Sequence, residues 1–323
     1  MPRNTHLSRM LEGGANLILD GAMATELEAR GCDLDDPLWS AKVLLEKPQL
    51  IQQVHRDYFD AGAAVAITAS YQATPQGFAR RGIDTAAALE LVALTVRLAD
   101  EARRGYVAEN PNAGPLLVAG SVGPYGAYLS DGSEYRGDYV LSPEEFADFH
   151  RPRIQALVEA GADFLACETL PSFAEAKALL SLVEEFDVES WFSFTLRDGA
   201  HISDRTPLAE VATSFDRHPL VAAVGVNCVP LHLVSPALET LRAATGTALV
   251  VYPNSGESYD AVSKTWGPGQ DRAHGLGPGG SRGPSNLEEG SRVWRELGAR
   301  LIGGCCRTTP EDIASVAKQS GNW

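Results

Sequence analysis

Cysteine, positive charge and long apolar runs are all scarce in this 323-residue sequence. Its five cysteines are an odd number, and the opening MPRNTHLSRMLEGGANLILD has no long apolar run leading to a small-residue cleavage site. A disulfide framework is not expected in such a chain. Each cysteine is left to metal binding, catalysis or plain burial. Basic residues number 27 against 42 acidic ones, a net charge of −15. That deficit argues against nucleic acid and anionic membranes as partners, since both select basic patches. It would suit a cationic small ligand, though an acidic surface is usually only a solubility feature. No stretch reaches the roughly 18 unbroken apolar residues that suggest a membrane span. A cytoplasmic protein is expected, and nothing in the sequence speaks to its oligomeric state.

What the sequence has in quantity is alternation. Short apolar runs fall at 17–19, 64–68, 116–120, 164–167, 191–196, 221–226, 248–252 and 301–303. Amphipathic stretches separate most of them, at 48–61, 85–104, 143–160, 172–185, 230–244, 286–297 and 310–318. Ser142-Pro143-Glu144-Glu145 and Thr309-Pro310-Glu311-Asp312 place a cap residue before proline and acids, the signature of a helix start. Ala61-Gly62-Ala63, Ala160-Gly161-Ala162 and Leu297-Gly298-Ala299 end a helix in glycine and lead into a strand. Uniformly apolar strands alternating with helices imply a parallel sheet covered by helices. Eight such units point to an α/β fold, a single-domain (β/α)8 TIM barrel over 1–323. A doubly wound open sheet is the alternative, and the strand count disfavours it.

In such a barrel the chemistry lies at the C-terminal ends of the strands. Those ends carry Asp20, Ser70-Tyr71, Glu168-Thr169, Asn227-Cys228, Asn254-Ser255 and Cys305-Cys306, while the opposite ends are mostly Gly and Ala. Cys228 follows strand six and Cys305-Cys306 follow strand eight. The spacing matches no zinc-finger pattern, but strands of equal parity can converge at the barrel mouth. Neighbouring residues on a regular strand point to opposite faces, so Cys305 and Cys306 share an ion only if the strand breaks; Gly303-Gly304 supply the freedom for that. Buried packing of one thiol, or a vicinal disulfide, are the plainer readings. Three thiolates without an obvious fourth protein ligand describe an open catalytic zinc site. Such an electron-rich ion suits holding another thiolate better than activating water, which points to thiol alkylation. Asp20 and Glu168 could serve as turn and cap residues, or could bind the ammonium of an amino-acid substrate. Backbone N–H groups around Gly21-Ala22-Met23 could receive its carboxylate. Cys167 is expected to face the helix layer, and Cys32 has no evident partner.

Several of these segments resemble one family. DGAMATELE at 20–28, CETLPSFAEAKAL at 167–179, GVNC at 225–228, YPNSGESYD at 252–260 and GGCCRTTPEDI at 303–313 look like the homocysteine S-methyltransferases. GSVGPYGAYLSDGSEYRGDY at 120–139 resembles the branch that uses S-methylmethionine or S-adenosylmethionine. The resemblance implies a (β/α)8 barrel with Zn2+ on Cys228, Cys305 and Cys306. It also implies homocysteine-binding carboxylates at Asp20 and Glu168, with Asn227 in the same motif. The small-molecule partners would be homocysteine and a sulfonium methyl donor, and methionine the product. Ala22 stands where the family usually has a second glycine. The Gly- and Pro-rich stretch 267–285 also departs from the family; it and 130–138 follow strands seven and three and would overhang the site. A zinc hydrolase or lyase on the same barrel would need a general base and usually His ligands, and none of the seven histidines ends a strand. A thiol-binding zinc sensor is the other competing class.

Overall fold

The structure, a computed structural model, describes residues 6–34, 38, 41–256, 258–260, 265–267 and 284–320. Eight parallel strands form the central sheet: β1 (Leu17–Ile18), β2 (Val65–Ile67), β3 (Leu117–Val122), β4 (Phe164–Leu170), β5 (Ser190–Phe194), β6 (Val221–Asn227), β7 (Ala248–Tyr252) and β8 (Ala299–Ile302). Each pairs with its neighbour in chain order, β8 pairs with β1, and a parallel bridge between Leu19 and Val65 closes β1 onto β2. The result is a TIM barrel, as the alternation of apolar runs and helices anticipates. Helices α1 (Pro48–Asp60), α2 (Thr85–Glu109), α3 (Pro143–Glu159), α4 (Phe173–Phe186), α5 (Leu208–Ser214), α6 (Leu231–Ala244), α7 (Leu287–Glu296) and α8 (Pro310–Ser320) follow the strands in order.

Strand residues split by parity into two cores. Leu117, Ala119, Phe164, Ala166, Trp191, Val250, Tyr252 and Leu301 fill the barrel interior. Their neighbours Val118, Leu165, Cys167, Phe192, Val251 and Ile302 pack outward against the helices. This period of two is what carries Glu168 and Asn227 inward at the mouth while sending Cys167 into the outer layer. Helix starts are capped as the sequence suggests, with a full capping box at Ser142 and Glu145 and side-chain caps from Asp84, Ser172 and Asn286.

Among the elements that the sequence reading did not include, two bear on the barrel itself. Helix α5 has only seven residues and too few turns to show a periodicity. A helix at His6–Glu12 stoppers the N-terminal end of the barrel: Leu7 enters the interior core, and the Glu189 carboxylate accepts the N–H groups of Leu7 (3.0 Å) and Ser8 (2.9 Å). Of the stretch 267–285, residues 268–283 lie outside the described residues. Among the described residues no helix is long and apolar enough to cross a membrane.

Candidate metal centre and substrate pocket

Cys228 leaves the end of β6 with a φ of 54°, a left-handed turn that costs a non-glycine residue about 1–2 kcal/mol. The approach to the other two thiols works differently from the expectation. Neither Gly303 nor Gly304 has a positive φ; the left-handed residue is Arg307, at 66°. The glycines are needed for closeness instead. A Cβ on Gly303 would lie 2.5 Å from that of Leu19, and one on Gly304 would collide with Thr308 Oγ1. Thr308 in turn holds the bend, giving its N–H (3.1 Å) and hydroxyl (2.6 Å) to the Cys305 carbonyl.

The segment after β7 is the template between them. Cys228 N–H donates to the Tyr252 carbonyl (3.1 Å), Cys305 N–H to that of Pro253 (2.7 Å), and Ser255 N–H to that of Cys306 (3.1 Å). So fixed, the three Sγ atoms lie within 4.8 Å of one another, Cys228 and Cys306 at 3.5 Å. Thiolates bound tetrahedrally to one zinc ion stand about 3.8 Å apart, so the donor set fits in chemistry and in spacing. All five cysteines are free thiols in the structure. Hydrogen bonds from Cys305 and Cys306, with another from the Tyr135 hydroxyl (3.2 Å), hold the Cys228 thiol well below its ordinary pKa despite burial. The same sharing pushes Cys305 and Cys306 upward.

Beside the thiols, Asp20 and Glu168 are both buried. Asp20 Oδ2 accepts the Ile67 N–H (2.8 Å) from across the sheet, and Glu168 accepts the Ser121 hydroxyl. Glu168 is no helix cap; Ser172 caps α4. Burial raises Glu168 to about 7 and carries Asp20 well above the carboxylate range, the latter with help from the charge of Glu168. Two desolvated carboxyls with no counter-charge acting on them among the described residues are a ready receptor for an ammonium group. Ala22 sits comfortably at φ −69° and ψ 105°, so its side chain asks nothing of the turn. Its N–H already donates to Thr308 Oγ1 (3.3 Å) and is not open to a substrate carboxylate.

Asn227 is fully buried, and its amide is engaged by protein groups. Its Oδ1 accepts the Thr169 N–H (2.7 Å) and the Ser193 hydroxyl (2.8 Å), and its Nδ2 donates to Thr169 Oγ1 (2.7 Å). Thr169 is itself left-handed, at φ 59°. Asn227 thus ties β6, next to Cys228, to β4, next to Glu168.

Over the mouth lies the segment after β3, bent through a short 3-10 turn at Ser133–Tyr135. Asp131 accepts the Ser133 N–H (2.9 Å), and Thr195 gives its hydroxyl to the Glu134 carbonyl (3.1 Å). Behind it, Glu175 of α4 accepts the Tyr125 N–H (2.6 Å), the Tyr139 hydroxyl and His150 Nε2 (2.7 Å). His150 is buried outside the barrel wall and kept neutral, its pKa lowered to about 4 by burial and by Arg153. Cys167 is buried in the outer core, and Cys32 packs at its edge.

The sequence profile described as homocysteine S-methyltransferase matches residues 17–320. The chain belongs to this family. It is 57% identical over 321 residues to the homocysteine S-methyltransferase of Escherichia coli (strain K12), covering 99% of this chain and 100% of that protein. It is 53% identical to homocysteine S-methyltransferase YbgG of Bacillus subtilis (strain 168), covering 93% of each. The crystal structure of the homocysteine methyltransferase MmuM from Escherichia coli, metallated form, superimposes with a TM-score of 0.85 at 54% identity, covering 97% of this chain and 99% of that one. Within a homocysteine S-methyltransferase, what the sequence reading left out is the carpentry. Thr308, Thr195 and the carbonyls after β7 carry no chemical signature, and only their positions in space give them a role.

Proposed function

We infer that this chain carries out its family's reaction, methylation of the homocysteine thiol to give methionine, with zinc held by Cys228, Cys305 and Cys306 and a sulfonium compound as methyl donor. The observation that carries the reading is the convergence of three thiols at the barrel mouth, beside two buried carboxyls with no counter-charge among the described residues. When bound there, zinc keeps an added thiol deprotonated at neutral pH without making it too poor a nucleophile. Asp20 and Glu168 hold the homocysteine ammonium, and Asn227 fixes the two strand ends so that ammonium site and thiol site keep their separation. The homocysteine thiolate attacks the donor's methyl carbon in line, a new S–C bond forms, and the old one breaks with its electron pair left on the departing sulfur. Thiolate and sulfonium become two neutral thioethers, and no general acid or base is required. The contribution of the chain is alignment of the two sulfurs and exclusion of water. We read 1–323 as one barrel domain, a reading supported by the span of the family match.

The test is methionine formation by zinc-loaded protein from homocysteine with S-methylmethionine, and separately with S-adenosylmethionine. Methionine from either, lost on chelation and restored by zinc, is the expected result. Full activity in metal-free protein would overturn the metal assignment. No methionine from any sulfonium donor would overturn the donor class.

A further inference from the structure

Resting on that reading, we propose that Glu134 is the residue that recognises the donor, its carboxylate receiving the positive charge of the sulfonium centre. Glu134 sits in the 3-10 turn of the segment that overhangs the mouth, whereas Asp20 and Glu168 stand at the ends of barrel strands. Its Oε2 is buried without a hydrogen-bond partner among the described residues. A buried carboxylate oxygen left unpaired is costly, so its retention calls for a partner that arrives with a ligand. The nearby cation Arg136 acts on this carboxylate only through space and makes no hydrogen bond to its Oε2. Arg136 is exposed and bonded to Asp138 (2.8 Å) and the Asp131 carbonyl (2.8 Å). Meanwhile the turn cannot swing aside to solvate the carboxylate, because Thr195 holds the Glu134 carbonyl and Tyr135 reaches Cys228.

Position selects which cationic centre is met. The Glu134 carboxylate is near enough to feel the charge of Cys228 and to act on Tyr71. In an in-line transfer the departing sulfur lies only about 5 Å from the attacking one, whereas the donor's ammonium hangs several bonds further off. The charge beside the thiols therefore faces the sulfonium. Tyr71, close to both Glu134 and Cys228, and Tyr135, bonded to Cys228 (3.2 Å), add aromatic side chains beside the same thiols. Transfer annihilates the sulfonium charge, so the interaction is strongest before reaction and gone after it. Glu134 accordingly supports donor binding and product release rather than the chemical step.

The experiment compares S-methylmethionine with 5-methylnorleucine, its uncharged isostere in which CH replaces S⁺, on zinc-loaded wild type, Glu134→Gln and Glu134→Asp. Calorimetric binding and donor KM are read together. Glu134→Gln should weaken S-methylmethionine about tenfold to a hundredfold, the scale of a lost charge-assisted bond, and leave the isostere little changed. Zinc content and homocysteine KM should hold, with kcat at saturating donor not reduced. Glu134→Asp should keep part of the preference for the charged ligand. Equal weakening of both ligands, or no change in either, overturns the assignment while leaving the proposed function intact. A wild type that uses no sulfonium donor would bring down both.

Discussion

Replacing Asn227 with alanine separates two roles the residue could have, substrate contact or internal brace. The structure gives its amide three protein partners: the Thr169 N–H and hydroxyl and the Ser193 hydroxyl. Ser193 retains a second partner in the Tyr252 hydroxyl (2.6 Å), and a hydroxyl can rotate, but the Thr169 N–H cannot. Leaving one buried N–H unpaired and two bonds broken should cost about 3 kcal/mol of stability. The brace also holds Thr169 in a left-handed turn that a β-branched residue resists by about 1–2 kcal/mol. Once released, the turn should relax and carry Glu168 with it, raising the homocysteine KM. The assay is urea unfolding of metal-free wild type, Asn227→Ala, Thr169→Gly and the double variant, with homocysteine KM measured on each after zinc loading. Glycine accepts the left-handed turn freely, so the two substitutions should couple by about 1 kcal/mol or more rather than add. Additive costs, or a raised homocysteine KM with stability untouched, would refute the brace and put Asn227 in contact with substrate.

Other outcomes follow from the same geometry. Cys305→Ser should lose bound zinc and methyl transfer together, whereas Cys167→Ser, in the outer core, should keep both; elemental analysis alongside an activity assay reads the difference. Glu168→Gln should retain zinc and raise the homocysteine KM by about tenfold to a hundredfold, since it removes charge and no thiol. His55 is buried in α1 with neither ring nitrogen bonded among the described residues, and burial lowers its pKa to about 3. The unfolded chain protonates this imidazole below about pH 6.5 and the fold does not, so stability falls as pH falls. His55→Phe should therefore gain on the wild type by about 2 kcal/mol between pH 8 and pH 5, in paired urea titrations; a gap constant with pH would show the ring already charged or solvated.

The barrel was legible because its cause is periodic. Short, fully apolar runs, nearly all followed by an amphipathic stretch, have few arrangements other than a helix-covered parallel sheet. The same logic placed the site, since polar and thiol residues gather at one end of the strands and glycine and alanine at the other. Helix α5 escaped because seven residues make barely two turns. The helix at His6–Glu12 escaped because its function as a stopper depends on Glu189, some 180 residues away. No local pattern encodes such a partnership.

The three left-handed residues Thr169, Cys228 and Arg307 mark what sequence patterns hide most completely. Thr169 lies near the end of β4, Cys228 and Arg307 come after β6 and β8, and none is glycine, the residue that ordinarily advertises a positive φ. Strict alternation would send Asn227 inward and Cys228 into the helix layer, away from Cys306. The left-handed turn at Cys228 cancels that alternation and returns the thiol to the mouth. At β4 the turn at Thr169 does a related service, coinciding with a shift of register against β5 beside Glu168 while Thr169 itself bonds to Asn227. Side chains rather than glycine can occupy these turns because other groups bear the strain: the Asn227 amide at Thr169, the Tyr252 carbonyl at Cys228 and the Thr25 hydroxyl at Arg307, which accepts its N–H (3.1 Å). Left-handed backbone also occurs at Ser130, Asp187, Arg205 and Arg217, but at Thr169, Cys228 and Arg307 it flanks the carboxyl and the thiols and is braced by other groups, which ties it to positioning.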